Sequence, residues 1–534
     1  MRTPLKDLLR DHYEVAVVGG GVNGAGIAQA LAAAGYGVVL LERHDFGSGT
    51  TSRSTRLVHG GLRYLEHGEF GLVYESLQER AALLRLYPHL VKPIELLLPL
   101  YQGGAYPKWK ARAGLALYDL LSVGRGLRRH RSFSRQAALK REPRLEPAGL
   151  NGALLFSDGQ VDLAERLAVE CALSARRLAA DVANYAELRK LQHTAGGLRL
   201  SVADVLSGQE LDFEAEVVIN AAGPWVDDVL HRAGFEPRPL IGGTRGSHLV
   251  VPADALGVEH PIYAPARSDG RPFFVLPWLD MLLVGTTDIR HGPDPDTARA
   301  TPQETNYLLS EVNGLLGGTV SEEDVIYSYS GVRPLPYEEQ GREGAITRRH
   351  FIVDHADDGL PGLYSLVGGK LTTFRTVGRR VTQMMKRRLG ERWPAQPEAG
   401  AVEGAAPTNF QSQWGGRAYE VYQRLGEQPH LSSPLCTHSP EPRAALVEAA
   451  RMELAATLAD VMLRRTTIGW RSCQGLHVVE DVAKLVGQEL GWDEVRRTAE
   501  IERYRDELTR VHPVPGKTEP PASELAIQSA ALED

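Results

Sequence analysis

Cysteine is almost missing from this sequence: Cys171, Cys436 and Cys473 are the only three in 534 residues. An odd, widely separated set excludes a disulfide framework and offers no paired-cysteine metal site, so no metal is expected and a reducing cytosol fits. Surplus positive charge is missing too. The 60 basic residues face 67 acidic ones, a formal net charge of -7, so generalised attraction to nucleic acid is excluded and any anion site has to be local. Long apolar runs are also lacking. Apart from residues 15–34, no stretch approaches the ~18 uninterrupted apolar residues of a spanning helix. That one run is broken by Gly19, Gly20, Gly21, Gly24 and Gly26 and preceded by Asp11 and Glu14. A strand, a tight turn and a helix explain it better than a signal or membrane segment. No internal repeat is visible.

What is present is a long chain with 43% apolar and 24% charged residues, enough for two or three packed units. Residues 13–18 alternate and are β-branched, an Ala-rich helix is predicted over 25–34, and GVVLL (37–41) reads as a second buried strand. This strand–turn–helix–strand unit predicts a parallel pair. VVINAAGPW (217–225) and LYSLVGGKLTTF (363–374) repeat the strand-then-small-residue pattern much later, so the sheet is expected to be discontinuous in sequence. SHLVVP, FFVLPW and MLLVGTTD, lying between them, suit a mixed or antiparallel sheet. Residues 393–409, rich in Pro, Ala and Gly, read as a linker, and helical periodicity dominates 410–510.

Chemistry concentrates at three places. Gly19-x-Gly21-x-x-Gly24 follows a strand and opens a helix, where free N–H groups can meet a pyrophosphate. Glu42 closes the next strand at the separation expected of a carboxylate that accepts ribose hydroxyls. GSGTTSRSTRLVHGGLRYLEH (47–67) then crowds hydroxyls, glycines and arginines, with Thr50, Thr51, Ser52 and Ser54 placed to bind a pyrophosphate and a flavin edge. In GGKLTTF (368–374), Gly368 and Gly369 let the backbone approach a ring, and the following helix aims its positive end at it. A second G-x-G-x-x-G and a redox cysteine pair are both absent, so neither a nicotinamide site nor a disulfide relay is evident.

GGGVNGAGIA, TSRSTRLVHGGLRYLEHGEF, NAAGPWVDD, GSHLVVP, VGTTD, YSYSGVRPL, AITRRH and GGKLTTFR together resemble the aerobic FAD-dependent glycerol-3-phosphate dehydrogenases over residues 13–385, and DVMLRRTTIGW (460–470) is similar to their C-terminal domain. The resemblance implies an α/β fold: a discontinuous Rossmann-like FAD-binding domain of the glutathione-reductase or amino-acid-oxidase type (12–84, 161–235 and 341–392), an inserted mixed-sheet substrate domain (85–160 and 236–340), a C-terminal helical domain (410–511) and a disordered tail (512–534). It implies FAD contacts from Gly19, Gly20, Gly21, Val22, Asn23 and Gly24, from Glu42 and Arg43, and from Thr50, Thr51, Ser52 and Ser54. Gly60, Gly61, Val182, Ala222, Gly223 and Trp225 are expected to join them, as are Arg333, Gly368, Gly369, Lys370, Leu371, Thr372 and Thr373.

The implied substrate is glycerol 3-phosphate, oxidised at C2 in glycerol catabolism with electrons passed to a quinone. Its implied site comprises Arg63, Tyr64, Arg333, Arg348 and Lys370; guanidinium forks match phosphate oxygens bidentately. His59, in a Gly-flanked turn beside the flavin loop, is the candidate base, with Arg333 and Lys370 as catalytic partners, one of which is expected to serve the flavin edge. Basic and aromatic residues around the apolar segment 113–124, among them Trp109 and Arg125, suggest peripheral contact with the inner face of the cytoplasmic membrane. Three alternatives stay open: an oxygen-using glycerol-3-phosphate oxidase, an amine-oxidising relative on the same fold, and a flavin-bearing nucleic-acid-binding protein with 108–131 as its footprint. The acidic balance argues against the last. A homodimer is left open.

Overall fold

The structure, a computed structural model, describes residues 1–124, 127–235, 238–292, 294–339, 346–395, 408–425 and 428–516. Among the described residues the chain forms sheets of eight and ten strands and a helical C-terminal region.

The first sheet is parallel at its centre. His12–Val18 lies between Val38–Leu41 and Glu210–Asn220, with Asp181–Ala183 beyond the former and Leu363–Val367 beyond the latter. The runs VVLL and EVVIN are apolar without alternation because both faces are covered. Val15, Val17, Val38, Leu40, Val217 and Ile219 pack under the helices Val22–Ala33, Ala164–Arg177 and Phe374–Leu389. Ala16, Val18, Val39, Leu41 and Val218 point the other way, toward the hairpin Ala186–Thr194 and Gly197–Asp204. All the parallel strands therefore end on one edge, and the glycine turns gather there.

The second sheet is antiparallel apart from one parallel pairing, as SHLVVP, FFVLPW and MLLVGTTD predict. Its strand Thr244–Pro252 is held between Met281–Gly285 and Tyr327–Arg333. Helix Pro302–Leu316, opened by a capping box between Thr301 and Glu304, covers one face. The other face merges with C-terminal residues, including Trp470, in one apolar cluster.

That C-terminal region is fastened by buried charge. Asp45 accepts from Arg465 at 2.6 and 2.9 Å and from Arg464 at 2.9 Å. Glu453 accepts from Arg166, on the helix Ala164–Arg177, and from Arg417 at 3.0 Å.

Four expectations need correction. The first helix begins at Val22, not Ala25, because Gly21 is its N-cap. The expected tail is packed at its start: His512 is buried and stacks on Tyr327, and the Pro513 carbonyl accepts from Ser328; residues 517–534 lie outside the described residues. The expected linker is helical at its end, since Thr408–Trp414 forms a turn of helix anchored by buried Phe410, while 396–407 lie outside the described residues. Cys436 and Cys473, distant in sequence, have their sulfurs 3.8 Å apart, because tertiary packing brings their two loops together.

Candidate active site

Along the C-terminal edge of the parallel sheet runs a cavity of about 620 Å³. Its first wall is the glycine turn. A Cβ on Gly24 would lie 1.8 Å from the Gly19 carbonyl oxygen, so only glycine lets the helix approach the strand this closely. A Cβ on Gly21 would meet only the Thr51 hydroxyl, at 3.5 Å, and the helix N-terminus therefore opens toward the cavity. Glu42 Oε2 accepts from Gly20 N–H at 2.6 Å and Oε1 from His44 N–H at 2.8 Å. Burial nevertheless raises its pKa. Each oxygen keeps a lone pair for a ligand hydroxyl.

The loop after the second strand wraps the same space. Thr51 Oγ1 accepts from Val22 N–H at 3.1 Å, and the Thr50 hydroxyl donates to Val332 O at 2.8 Å, tying the glycine turn to the antiparallel sheet. Val22, Asn23, Arg43, Ser54, Ala222, Gly223 and Trp225 line the cavity, and Gly368, Gly369, Leu371 and Thr372 close it from the third glycine turn. The Asn23 Oδ1 is buried with no partner, which leaves an acceptor for a bound group to satisfy.

The cations converge from separate segments. Arg333 NH1 donates to Asp288 Oδ1 at 3.1 Å, and Arg348 NH2 to Asp288 Oδ2 at 2.8 Å. One carboxylate thus holds two guanidinium groups side by side. Burial works to raise the pKa of Asp288, but Arg333 and Arg348 outweigh it and keep the carboxyl below the usual range. Lys370 Nζ sits 4.0 Å over the ring of Tyr64, and burial lowers its pKa.

Three histidines, His44, His59 and His248, line the cavity. Burial lowers the pKa of His59, against the pull of the Asp158 carboxylate. Asp158 also fixes the turn that carries it, accepting from Gly60 N–H, the Tyr118 hydroxyl and Arg80. His248 stacks on Tyr329 with 4.8 Å between centroids, and its Nε2 meets the Thr55 hydroxyl at 2.9 Å. Its Nδ1 is buried without a partner, and burial together with Arg333 and Arg56 holds the ring neutral.

Seven expected residues do not reach the cavity. The Ser52 hydroxyl donates back to Ser48 O and Gly49 O within its own turn. Gly20 spends its N–H on Glu42, and Gly60 spends its own on Asp158 and Tyr118. Gly61 is filled by the Tyr64 ring, and Thr373 is a buried helix N-cap. Val182 packs in the core beneath its strand pairing with Leu40, while Tyr185 and Ala186 take the cavity wall. Arg63 belongs to the 3-10 turn Leu62–His67, where successive side chains diverge by about a third of a circle. With Tyr64 facing in, Arg63 lies instead beside Glu66, Tyr106 and Tyr263.

Other residues were missed. Asp288 and His248 were visible only as parts of VGTTD and GSHLVVP. Arg464, Arg496, Arg503 and Arg510 of the C-terminal region also line the cavity; the last three recur every seven residues on helix Glu494–Val511, hence on one face.

Comparison with known proteins gives the geometry its context. A family model described as FAD dependent oxidoreductase matches residues 14–384, and one described as the C-terminal domain of alpha-glycerophosphate oxidase matches 365–497. A glycerol-3-phosphate dehydrogenase of Synechocystis sp. is 37% identical over 532 residues, covering 92% of this chain and 96% of its own. The human mitochondrial glycerol-3-phosphate dehydrogenase is 31% identical, over 92% of this chain and 72% of its own. The fold matches a Bacillus halodurans glycerol-3-phosphate dehydrogenase complexed with FAD, with a TM-score of 0.74 at 23% identity, covering 96% of this chain and 98% of that one.

Proposed function

The chain belongs to the FAD-dependent glycerol-3-phosphate dehydrogenase family, and from that premise we propose that it oxidises glycerol 3-phosphate to dihydroxyacetone phosphate and passes the electrons to a quinone at a membrane surface, as a step in glycerol catabolism. Bound FAD supplies the two-electron acceptor for the C2 hydride. The glycine turn, Glu42 and the Thr50–Thr51 loop would hold its dinucleotide portion. Gly368, Gly369 and Lys370 would face its ring.

The observation that carries the reading is the clamp of Arg333 and Arg348 on Asp288 beside Lys370. Three cations lining one cavity suit a phosphate dianion. Each charge-assisted bond contributes about 1.5–3 kcal/mol, so unphosphorylated glycerol should react poorly.

Hydride leaves C2 more readily as the hydroxyl proton is removed. Of His59 and His248, His248 is the better placed base, because its buried Nδ1 has no protein partner. His59, the candidate from sequence, fits a positioning role beside Lys370.

Delivery to a quinone is supported by the helix Lys108–Leu121. Trp109, Ala113, Ala116 and Leu120 form an exposed apolar stripe at helical spacing, flanked by Lys108 and Arg112. Trp109 is 74% exposed and Leu120 68%, which suits insertion at a lipid interface. The buried side of the same helix carries Tyr118, which bonds the turn of His59 and Gly60. Among the described residues, no helix is long and apolar enough to cross a membrane.

The test is acceptor reduction by purified yellow protein, with and without a ubiquinone analogue and detergent. Activity with glycerol 3-phosphate at least a hundredfold above that with glycerol is expected, stimulated by quinone. His248→Gln should lower kcat far more than His59→Gln. Equal rates with both substrates would remove the phosphate grip, and turnover on oxygen alone, with peroxide produced, would make the chain an oxidase.

A further inference from the structure

We propose that Cys436, His438, Cys473 and His477 form a zinc site that clamps two loops of the C-terminal region together. Their donor atoms, one from each residue, all lie within 4.8 Å of one another. The two sulfurs are 3.8 Å apart. Two zinc–sulfur bonds of about 2.3 Å meeting at a tetrahedral angle put their sulfurs about 3.8 Å apart, so the thiols already stand at the edge of such a tetrahedron. The imidazoles complete it from the solvent side, their centroids 5.4 Å apart and their planes at 76°.

Both loops are shaped for this. Gln474 and Gly475 adopt left-handed backbone, with φ of +50° and +64°. That bend turns His477 back toward Cys473, whose sulfur accepts from Gly475 N–H at 3.4 Å. Any larger residue at 475 would strike Met462 and Ile468. In the other loop, Cys436 Sγ lies against the backbone N–H groups of His438 and Ser439.

The donor set identifies the cation. Two thiolates and two imidazoles are soft-to-borderline ligands that suit zinc, and four protein ligands leave no position open for substrate, which makes the site structural. Binding displaces the two thiol protons, and the dipositive ion with two thiolates is neutral overall. The location suits a clamp. Arg471 and Ser472, just before the second loop, contact Asp280 of the antiparallel sheet, and Cys436 belongs to the same apolar cluster as Trp278 and Trp470. A metal here would tie the helix Arg443–Arg451 and the helix Val479–Leu490 to one point at that junction.

The experiment uses full-length flavoprotein purified without chelator or histidine tag. Elemental analysis should find about one zinc per chain, and replacement by cobalt should give tetrahedral ligand-field bands to the red of the flavin absorption. Because His438 and His477 are exposed, the double variant H438A/H477A removes ligands without opening the core. Its zinc content should fall at least tenfold while flavin content stays unchanged. Protein that remains metal-free after anaerobic reconstitution with zinc sulfate, zinc retained by the double variant, or a Cys436–Cys473 disulfide in the purified protein would each overturn the proposal.

Discussion

Asp288 touches no expected ligand, yet it fixes where the two guanidinium groups stand. Replacing it by Asn keeps the shape and removes the charge that orients Arg333 and Arg348. Loosening one or two charge-assisted contacts of about 1.5–3 kcal/mol each should raise KM for glycerol 3-phosphate tenfold or more with flavin content unchanged. An unaltered KM would show that the arginines are held by other means. Asp288 also marks the boundary of what sequence reasoning reaches. Gly24 and Glu42 were legible because turn and strand geometry fix their spacing within one local unit. Asp288 was not, because its partners come from segments 45 and 60 residues away and nothing local distinguishes it from an ordinary strand-end acid. His248 was hidden for a similar reason: a histidine in an apolar strand reads as a satisfied core residue until the empty space beside it is seen.

At the scale of elements, the parallel sheet and its discontinuity followed from uninterrupted apolar runs ending in small residues. The attachment of the C-terminal helices did not follow, because it rests on charges buried between elements. Glu453 is the clearest case. Burial opposes its ionisation, but Arg166 and Arg417 prevail and take its pKa below the ordinary 4.5 to about 2. A depressed carboxyl pKa stabilises the fold above the unfolded value and loses that contribution as pH falls toward the folded one. Glu453→Gln would leave two arginines facing a neutral amide. Since breaking a buried pair costs about 3–5 kcal/mol, denaturant melts at pH 7 should show a loss of that order, and the gap between variant and parent should narrow below about pH 4. A gap that stays constant down to pH 2.5 would mean the carboxylate contributes packing alone.

For the whole molecule, charge and exposure predict where it rests. The net charge of -7 repels an anionic bilayer at long range, so the proposed membrane contact would have to come from the stripe Trp109–Ala113–Ala116–Leu120 and its flanking cations. Co-sedimentation with vesicles of phosphatidylglycerol and phosphatidylethanolamine should be strong at low salt and weaken as salt screens the cations. The variant W109S/L120S should lose most of the binding while turning over a soluble acceptor at the parental rate. Retention of full binding by that variant would place the lipid contact elsewhere.

The cavity wall that begins at Val18 is completed by Arg510, near the far end of the described chain. During biosynthesis the nucleotide cleft must therefore wait, unsealed, until almost five hundred further residues have left the ribosome. A product truncated before Glu494 should lack the Arg496, Arg503 and Arg510 side of that wall and release flavin more readily than the whole chain.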